Sequence, residues 1–271
     1  MDGGLSRNPL LMGIVNVTPD SFSDGGRFVD PERAVAHGRR LVEEGADWLD
    51  VGGESTRPGA RPIDAAEEIA RVVPVIAGLR AACPAVGISI DTSKAAVAAA
   101  AIEAGATLVN DVTAFGDPEM AALCAAGGVQ VVLMHMRGTP RTMQVDTTYD
   151  DLVGEVERFL AQRLEHGAEQ GIRSDRMLVD PGLGFGKAPL DNLALIRAVP
   201  RLAALGHRVV IGASRKSFIG RLTGVSDPSE RVFGSVGAAL AAAAHGADVL
   251  RVHDVAATRQ ALDVFLAVEG R

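Results

Sequence analysis

A polar side chain stands at or just past the end of each of eight short apolar runs in this sequence. These residues are, in chain order, Asn16, Asp50, Asp91, Asn110, His135, Asp180, Ser214 and His253. Together they supply carboxylates, amides, imidazoles and a hydroxyl, which are groups that can hydrogen-bond a polar ring or an anion. If the runs are strands of one parallel barrel, these side chains meet in a single pocket at its mouth.

The eight runs have the composition of buried parallel strands. They are rich in Val, Ile and Leu and nearly continuous, which favours strands covered on both faces. The segments between them are rich in Ala and have the spacing of helices. The predicted strands occupy residues 10–17, 48–51, 88–90, 108–109, 129–134, 177–179, 209–211 and 249–252. The predicted helices occupy residues 31–45, 64–82, 94–105, 117–127, 150–170, 190–204, 228–245 and 255–268.

This alternation predicts an α/β fold, a (β/α)8 TIM barrel formed by a single domain over residues 1–271, with the active site at the carboxyl-terminal ends of the strands. Glycines near the ends of several helical segments support those boundaries, because glycine readily adopts the left-handed conformation that ends many helices. They are Gly45, Gly105, Gly127, Gly171, Gly206 and Gly246. An open doubly wound sheet is the alternative, but it would concentrate the polar residues at one point of the sheet.

Composition argues against several other classes of protein. The 271 residues are 47% hydrophobic and 23% charged, enough for one large core. A net charge of −7, scattered arginines and 4% aromatic residues argue against a nucleic-acid partner. We expect a cytoplasmic protein with no membrane partner, since the sequence shows neither a membrane-spanning apolar stretch nor a signal-peptide pattern. Cys83 and Cys124 lie too far apart in the sequence to indicate a zinc motif or a disulfide framework.

Two loops that follow predicted strands combine Gly and Pro with many polar residues. They span residues 18–26 and 52–62. Long Gly-containing loops at this face of a barrel commonly carry binding groups and close over a substrate, so we predict that both act as lids. The alternative, that they only connect elements, does not account for their density of Asp, Ser, Thr, Glu and Arg.

Several motifs fall at the predicted strand ends or in these two loops. The longest are MGIVNVTPDSFSDGG at residues 12–26 and DVGGESTRPGA at residues 50–60. They are followed by SIDTSK at 89–94, VNDV at 109–112, LMHMRGTP at 133–140, DPGLGFGK at 180–187, GASRKS at 212–217 and RVHD at 251–254. With these motifs the chain resembles the dihydropteroate synthase family over about residues 10–268.

The resemblance implies a transferase of folate biosynthesis. Members of that family condense 6-hydroxymethyl-7,8-dihydropterin pyrophosphate with 4-aminobenzoate and release 7,8-dihydropteroate and pyrophosphate. The resemblance further implies a magnesium ion as cofactor and sensitivity to sulfonamides, which mimic 4-aminobenzoate. It also implies a homodimer formed through helices near the carboxyl end, and the Gly- and Ala-rich segment 233–244 is compatible with such close helix packing.

A pterin ring needs several types of polar group around it. Its edge has N–H donors beside a carbonyl acceptor, so a carboxylate must face the donors and an amide or a cation must face the acceptors. The resemblance assigns pterin binding to Asp91, Asn110, Met134, Asp180, Gly212, Lys216 and Arg251. Of these, Asp91, Asp180 and Lys216 are predicted to be catalytic. The alternative is that strand-end Asp and Asn residues only cap the following helices, which is a weaker explanation for four polar residues that converge on one barrel mouth.

The other two ligands need different groups. A leaving pyrophosphate needs cations and donors, and the resemblance assigns it Asn16, Arg57, Arg251 and His253. It also makes Asn16 the protein ligand of the magnesium ion, with pyrophosphate oxygens and water as the other ligands. It lines the 4-aminobenzoate pocket with Phe22, Thr56, Arg57, Pro58, Phe185, Lys216 and Ser217. For the two Phe residues ordinary packing is the alternative, although loop aromatics beside Gly have little core to join. His135 and Asp50 receive no role.

No residue is an evident covalent nucleophile, so we expect direct transfer. Pyrophosphate leaves the pterin methylene carbon through a dissociative, cation-like transition state that Asp91 and Asp180 stabilise, and the arylamine then attacks that carbon. Two competing interpretations are a pterin-binding methyltransferase domain that serves a corrinoid and an inactive pterin-binding paralogue. The complete set of motifs argues against both.

Overall fold

Eight parallel strands close into a barrel in the computed structural model, which describes residues 8–18, 30–55 and 59–271. The strands are β1 (Leu10–Asn16), β2 (Trp48–Gly52), β3 (Gly87–Asp91), β4 (Leu108–Asp111), β5 (Gln130–Met134), β6 (Met177–Asp180), β7 (Arg208–Ile211) and β8 (Val249–Val252). Each strand pairs with the next in sequence, and β8 pairs with β1. The predicted (β/α)8 barrel is confirmed, and the open sheet is excluded.

Helices connect the strands. They are α1 (Pro31–Glu43), α2 (Ala65–Ala82), α3 (Ala95–Glu103), α4 (Met120–Gly127), α5 (Leu152–Glu169), α6 (Pro189–Arg197), α7 (Val199–Ala203), α8 (Ser217–Thr223), α9 (Val232–Ala244) and α10 (Val255–Val268). The side chains of Asp30 and Asp64 accept backbone N–H groups at the starts of α1 and α2, which fixes where those helices begin. Within the described ranges, no helix is long and apolar enough to cross a membrane.

The glycines predicted to end helical segments do so in five of six cases. Gly45, Gly105, Gly171, Gly206 and Gly246 have φ between 83° and 112°, the region that glycine adopts without steric cost. The sixth prediction is wrong by one residue. Gly127 is the last residue of α4, and its neighbour Gly128 takes the left-handed position with φ of 59°. Two adjacent glycines offer the same freedom, so the sequence did not distinguish them.

Two helix predictions differ from the structure near β7. The segment 190–204 was predicted as one helix but forms α6 and α7, which meet at Ala198. Pro200 explains the break, because it has no N–H to donate to the carbonyl of Ile196 and continue the helix. The seven-residue helix α8 was not predicted. It begins directly after the GASRKS motif, whose polar residues do not show helical spacing.

The alternation of side chains between the two faces of each strand positions the site residues above an apolar layer. The lower layer of the barrel interior is one buried apolar cluster that contains Met12, Leu108, Val132, Leu178, Val210 and Val249. Two positions further along strands β4 to β8 come, in order, Asn110, Met134, Asp180, Gly212 and Arg251. Because side chains on a strand alternate between its two faces, these five residues share the inward face. The apolar layer therefore forms the floor of a pocket at the carboxyl ends of the strands.

The main core lies between the barrel and the helices. Outward-facing strand residues such as Val109, Val131 and Val179 are fully buried there in a cluster with Ile76 and Leu79 of α2. Apolar side chains therefore cover both faces of the strands, which is why the strand sequences read as continuous apolar runs. The extension of one domain over the whole of residues 1–271 stays a prediction.

Candidate active site

Arg251 is the centre of a charged cluster at the barrel mouth. From β8, its Nε donates to Asp50 Oδ2 at 2.6 Å and its Nη2 donates to Asp91 Oδ2 at 2.7 Å. Asn110 Nδ2 donates to the same Asp50 oxygen at 3.1 Å. One guanidinium thus links β8 to β2 and β3, and Asn110 extends this network to β4. The Arg251 side chain is 20% exposed, whereas Asp50 is fully buried.

Burial and charge oppose one another in this network. Burial raises the pKa of Asp91 to about 7, while the Arg251 guanidinium lowers it and the Asp50 and Glu68 carboxylates raise it further. Burial also acts to lower the pKa of Arg251, but Asp50 and Asp91 hold that pKa above its ordinary value. Arg251 is therefore a permanent cation, and the charge of Asp91 responds to what binds beside it.

Two further ionisable side chains, Asp180 and Lys216, lie beside the loop of residues 181–187. Asp180 Oδ1 accepts the N–H of Gly182 at 2.7 Å, and Lys216 Nζ donates to the carbonyl of Leu183. Burial raises the pKa of Asp180, although the Gly182 hydrogen bond and the Lys216 charge oppose the rise. Burial lowers the pKa of Lys216 to about 8, and the Asp180 charge opposes that fall. Each group favours the charged form of the other.

Glycines let the loop of residues 181–187 approach the end of β5. Gly182 has φ of 69°, and a Cβ at this position would lie 1.9 Å from the carbonyl oxygen of His135. No side chain fits in that space, so the close approach requires glycine. The same loop carries Phe185, whose ring centroid lies 4.1 Å from Lys216 Nζ. An aromatic face is thereby held against a lysine ammonium at the mouth.

Asn16 and His253 lie at the ends of neighbouring strands. Asn16 Oδ1 and Asp91 Oδ2 both flank Gly52, since a Cβ built on Gly52 would lie 3.8 Å and 3.7 Å from them. His253 Nδ1 lies 3.0 Å from Ser214 Oγ, and the His253 backbone N–H donates to the same hydroxyl at 3.2 Å. The structure therefore places Asn16 near Asp91 and joins His253 to Ser214.

The remaining predicted site residues are placed as follows. Met134 is buried at the end of β5. Gly212 directly follows β7 and lies beside Arg251, because a Cβ built on Gly212 would lie 3.8 Å from the Arg251 Cβ. Ser217 is exposed at the start of α8. Outside the described residues lie Phe22, Thr56, Arg57 and Pro58, together with residues 19–26 of the first predicted lid.

Asp50 and His135, the strand-end residues without a predicted role, have definite partners. The second oxygen of Asp50, Oδ1, is buried and has no hydrogen-bond partner among the described residues. Its position two residues after Trp48, which packs on the floor cluster, was a signal that its side chain faces inward. His135 is buried, and its Nδ1 lies 2.8 Å from Lys187 Nζ. Sequence reasoning had no signal for that contact, because it joins residues 52 positions apart.

The donor set suits one kind of metal site. No group of three or more His, Cys, Asp or Glu side chains within the described ranges is arranged to hold a metal ion. The Asn16 amide oxygen and the Asp91 carboxylate are oxygen donors on either side of Gly52. Mg²⁺ prefers oxygen ligands and takes few of them from the protein when a diphosphate supplies others. Asp91 Oδ2 already accepts from Arg251, so the Asn16 oxygen is the donor that fits a magnesium ion whose other ligands come from a diphosphate and water.

The barrel and its charged mouth match a known class of enzymes. The sequence profile of the pterin binding enzyme family matches residues 12–253, which include β2 to β8, all of β1 but its first two residues, and every described residue of the charged cluster. This match defines the class as barrel enzymes that bind pterins.

Individual relatives narrow the class. The dihydropteroate synthase of Neisseria meningitidis serogroup B is 48% identical over 96% of this chain and 93% of its own length. The structure of the Xanthomonas albilineans dihydropteroate synthase with 4-aminobenzoic acid has a TM-score of 0.92 at 52% identity, over 98% of this chain and 94% of that one. The structure of the Yersinia pestis dihydropteroate synthase in a sulfonamide drug complex has a TM-score of 0.92 at 43% identity, over 97% of this chain and 95% of that one. The chain belongs to the dihydropteroate synthase family.

The Asp50 contacts predict a large effect on stability. Asp50→Ala removes the acceptor for Arg251 and Asn110 at a fully buried position and leaves the guanidinium with one of its two carboxylates. We expect the free energy of unfolding to fall by about 3 kcal/mol, measured by urea denaturation. The control Asp175→Ala breaks an exposed pair with Arg173 and should leave the midpoint unchanged. A loss below about 1 kcal/mol for Asp50→Ala would contradict the importance of the network.

Proposed function

We propose that this chain condenses 6-hydroxymethyl-7,8-dihydropterin pyrophosphate with 4-aminobenzoate to give 7,8-dihydropteroate and pyrophosphate. The observation that carries the proposal is the charged cluster around Arg251, in which carboxylates, an amide and cations converge on one mouth in a chain of the dihydropteroate synthase family. These are the groups that a polar ring with an attached diphosphate requires.

Asp180, Asn110 and Lys216 would bind the edge of the pterin. The Asp180 carboxylate accepts N–H donors of the ring, and Lys216 donates to its acceptors. The Asn110 amide nitrogen donates to Asp50, and its carbonyl oxygen can accept a pterin N–H. Met134 would support the ring from below. Gly212 lies beside the stem of Arg251, whose guanidinium would stack on the ring.

Arg251, His253 and Asn16 would bind the pyrophosphate. Arg251 has further N–H groups besides the two that donate to carboxylates, and His253 adds a ring nitrogen. Arg57 is the second cation expected here, and it lies outside the described residues. Asn16 would hold the magnesium ion, which when bound neutralises negative charge on the leaving group.

Phe185, Lys216 and Ser217 would line the 4-aminobenzoate side of the mouth. The exposed Ser217 hydroxyl at the start of α8 can donate to the benzoate carboxylate, and the Phe185 ring offers an apolar face. Phe22, Thr56, Arg57 and Pro58 stay predictions for this pocket, as does sensitivity to sulfonamides.

The arrangement favours direct, dissociative transfer. Cys124 is buried in α4 and Cys83 lies at the end of α2, so neither thiol reaches the described part of the mouth. As the bond to pyrophosphate breaks, positive charge develops on the pterin methylene carbon, and the Asp91 and Asp180 carboxylates stabilise it. That positive charge also favours the ionised form of Asp91 against the effect of burial. The arylamine nitrogen then forms the new bond and loses its proton.

Incubation of the purified protein with both substrates and Mg²⁺ tests the function directly. We expect equal amounts of dihydropteroate and pyrophosphate, and no reaction when the divalent ion is chelated. Lys216→Ala and Asp180→Asn should abolish pterin binding with little change in Tm, because each removes one polar group at the mouth and no floor residue. A folded wild-type protein that forms no product would refute the proposal. It would favour one of the two competing interpretations, a pterin-binding methyltransferase domain or an inactive paralogue.

The Lys216 amine predicts a pH dependence. Its lowered pKa, about 8, means that the ammonium loses its charge and a donor as the pH rises through that value, whereas ordinary lysine stays charged. We therefore expect kcat/KM for the pterin substrate to fall as the pH rises through about 8. Lys216→Arg should remove this decline in its residual activity, since a guanidinium does not deprotonate. A decline that persists in Lys216→Arg would assign it to another group.

We also infer that two copies of the chain associate through α8 and α9. Phe233 at the start of α9 is 90% exposed, and Leu222 of α8 is 54% exposed. Beside them runs an apolar groove lined by Phe218, Ile219, Gly234, Gly237 and Ala238. A second copy presents the same apolar face, so a symmetric contact covers both patches at once, and the small residues of α9 permit close approach.

Light scattering coupled to size-exclusion chromatography tests this association. The wild-type protein should have the mass of two chains, and Phe233→Glu should have the mass of one, because a carboxylate would be buried in the apolar contact. Val145→Glu is the matched control, since Val145 is similarly exposed but lies in the loop after β5. A wild-type monomer, or equal masses for the two variants, would contradict the inferred contact. The cytoplasmic location stays a prediction.

A further inference from the structure

Lys187 is a buried basic residue that the proposed reaction does not use. The chain has 27 basic residues besides histidine, and only Lys94, Lys187 and Lys216 are lysines. All three follow strands at the carboxyl end of the barrel, and Lys187 is 4% exposed. In a chain whose basic residues are mostly arginines, a lysine enclosed at this position indicates a need for a compact ammonium.

The surroundings of Lys187 satisfy an ammonium group completely. Its Nζ lies 2.8 Å from His135 Nδ1, 3.1 Å from the His135 carbonyl oxygen and 2.9 Å from the Phe185 carbonyl oxygen. Three acceptors match the three N–H donors of an ammonium. Burial and the Lys187 charge lower the pKa of His135 to about 3, so its neutral ring can accept. Burial lowers the pKa of Lys187 itself to about 7, and the Asp180 charge opposes this fall.

Lys187 belongs to a set of donors that hold the loop of residues 181–187. Four successive backbone carbonyls of that loop each accept a hydrogen bond from a side chain. They belong to Leu183, Gly184, Phe185 and Gly186. The donors are, in order, Lys216, Gln144, Lys187 and Tyr149. Positive φ angles at Gly182, Gly184 and Gly186 mean that the backbone itself restricts this loop little. Hydrogen bonds therefore fix its shape: Asp180 and Asn192 accept the N–H groups of Gly182 and Gly184, and the four donors hold the carbonyls. Among these donors Lys187 is the most buried, and it ties Phe185 to the end of β5.

We propose that Lys187 is a positioning residue for 4-aminobenzoate, which it does not touch: by fixing the Phe185 carbonyl to His135, it holds the Phe185 ring against Lys216. The ring centroid lies 4.1 Å from Lys216 Nζ, so a shift of the carbonyl would move an apolar wall of the proposed pocket and uncover the ammonium. Misplacement by about 1 Å is enough to reduce a rate strongly. The inference rests on the proposed function, which assigns Phe185 to the 4-aminobenzoate side of the mouth.

The site also predicts that arginine cannot replace Lys187. The three acceptors surround one nitrogen, whereas a guanidinium spreads its donors over a plane and needs more room. The His135 ring, which closes one side, is itself fixed by an edge contact with Phe159 at 4.9 Å between centroids. Lys187→Arg should therefore raise the KM for 4-aminobenzoate as removal of the lysine does, whereas arginine can replace a lysine at an exposed position.

Steady-state kinetics of Lys187→Met test the proposal, because Met keeps the length of the stem and removes all three donors. We expect KM for 4-aminobenzoate to rise about tenfold, with less than a twofold change in the Kd of the pterin pyrophosphate measured by calorimetry. In a Phe185→Leu background the same substitution should add less than about twofold, since Lys187 acts through that ring. Lys187→Gln, whose amide keeps two N–H donors on a shorter stem, should show the same selectivity with a smaller rise and serves if Lys187→Met does not fold.

Other results separate the two proposals. If the wild-type protein forms no dihydropteroate, the proposed function fails, and the role of Lys187 fails with it because it rests on that function. If it is active, a pterin Kd that rises as much as the KM for 4-aminobenzoate would overturn the role of Lys187 as a positioning residue. Full additivity with Phe185→Leu would overturn it as well, because the two residues would then act independently. Rescue by Lys187→Arg would overturn the argument from the compact ammonium.

Discussion

The contact between Arg251 and two buried carboxylates is the interaction on which the site depends. Asp50 and Asp91 project from neighbouring strands into the same low-dielectric mouth, where two ionised carboxylates repel each other unless a cation lies between them. Arg251 reaches them from β8 with two of its N–H directions. The guanidinium therefore compensates the charge that the barrel brings together. Loss of Arg251 would leave both carboxylates without a cation, and loss of Asp50 would leave donors of Arg251 and Asn110 without their buried acceptor.

This pairing also links groups that act on different parts of the substrate. Asp91 is expected on the pterin and Arg251 on both pterin and pyrophosphate, yet the two are in direct contact. Asn110 shares an oxygen of Asp50 with Arg251, so the orientation of the amide depends on the same carboxylate. The mouth is therefore one hydrogen-bonded network, with no boundary between a pterin side and an anion side.

Much of this arrangement could be predicted from the sequence, because it follows from strand periodicity. Leu108 and Asn110, or Leu178 and Asp180, are two positions apart on one strand, so a floor residue and a site residue must share a face. Asp50 follows the same rule after Trp48, but its role depends on what reaches it from β8. The contact of Lys187 with His135 could not be predicted, since it depends on three positive-φ glycines that fold a loop back onto β5. No local pattern specifies that return.

Rigid and adjustable parts of the mouth are supported in different ways. Asn110, Asp180 and Arg251 are carried by strands whose backbone is fixed on both sides by parallel pairing, so their positions follow from the barrel itself. Phe185 lies on a glycine-rich loop, and its position follows from side-chain donors to the loop carbonyls. Strands thus hold the groups whose charge must be matched within tenths of an ångström, while the loop holds an apolar wall. The strand-borne carboxylates stabilise a transition state with developing positive charge most effectively, because fixed groups do not have to reorganise as the charge appears.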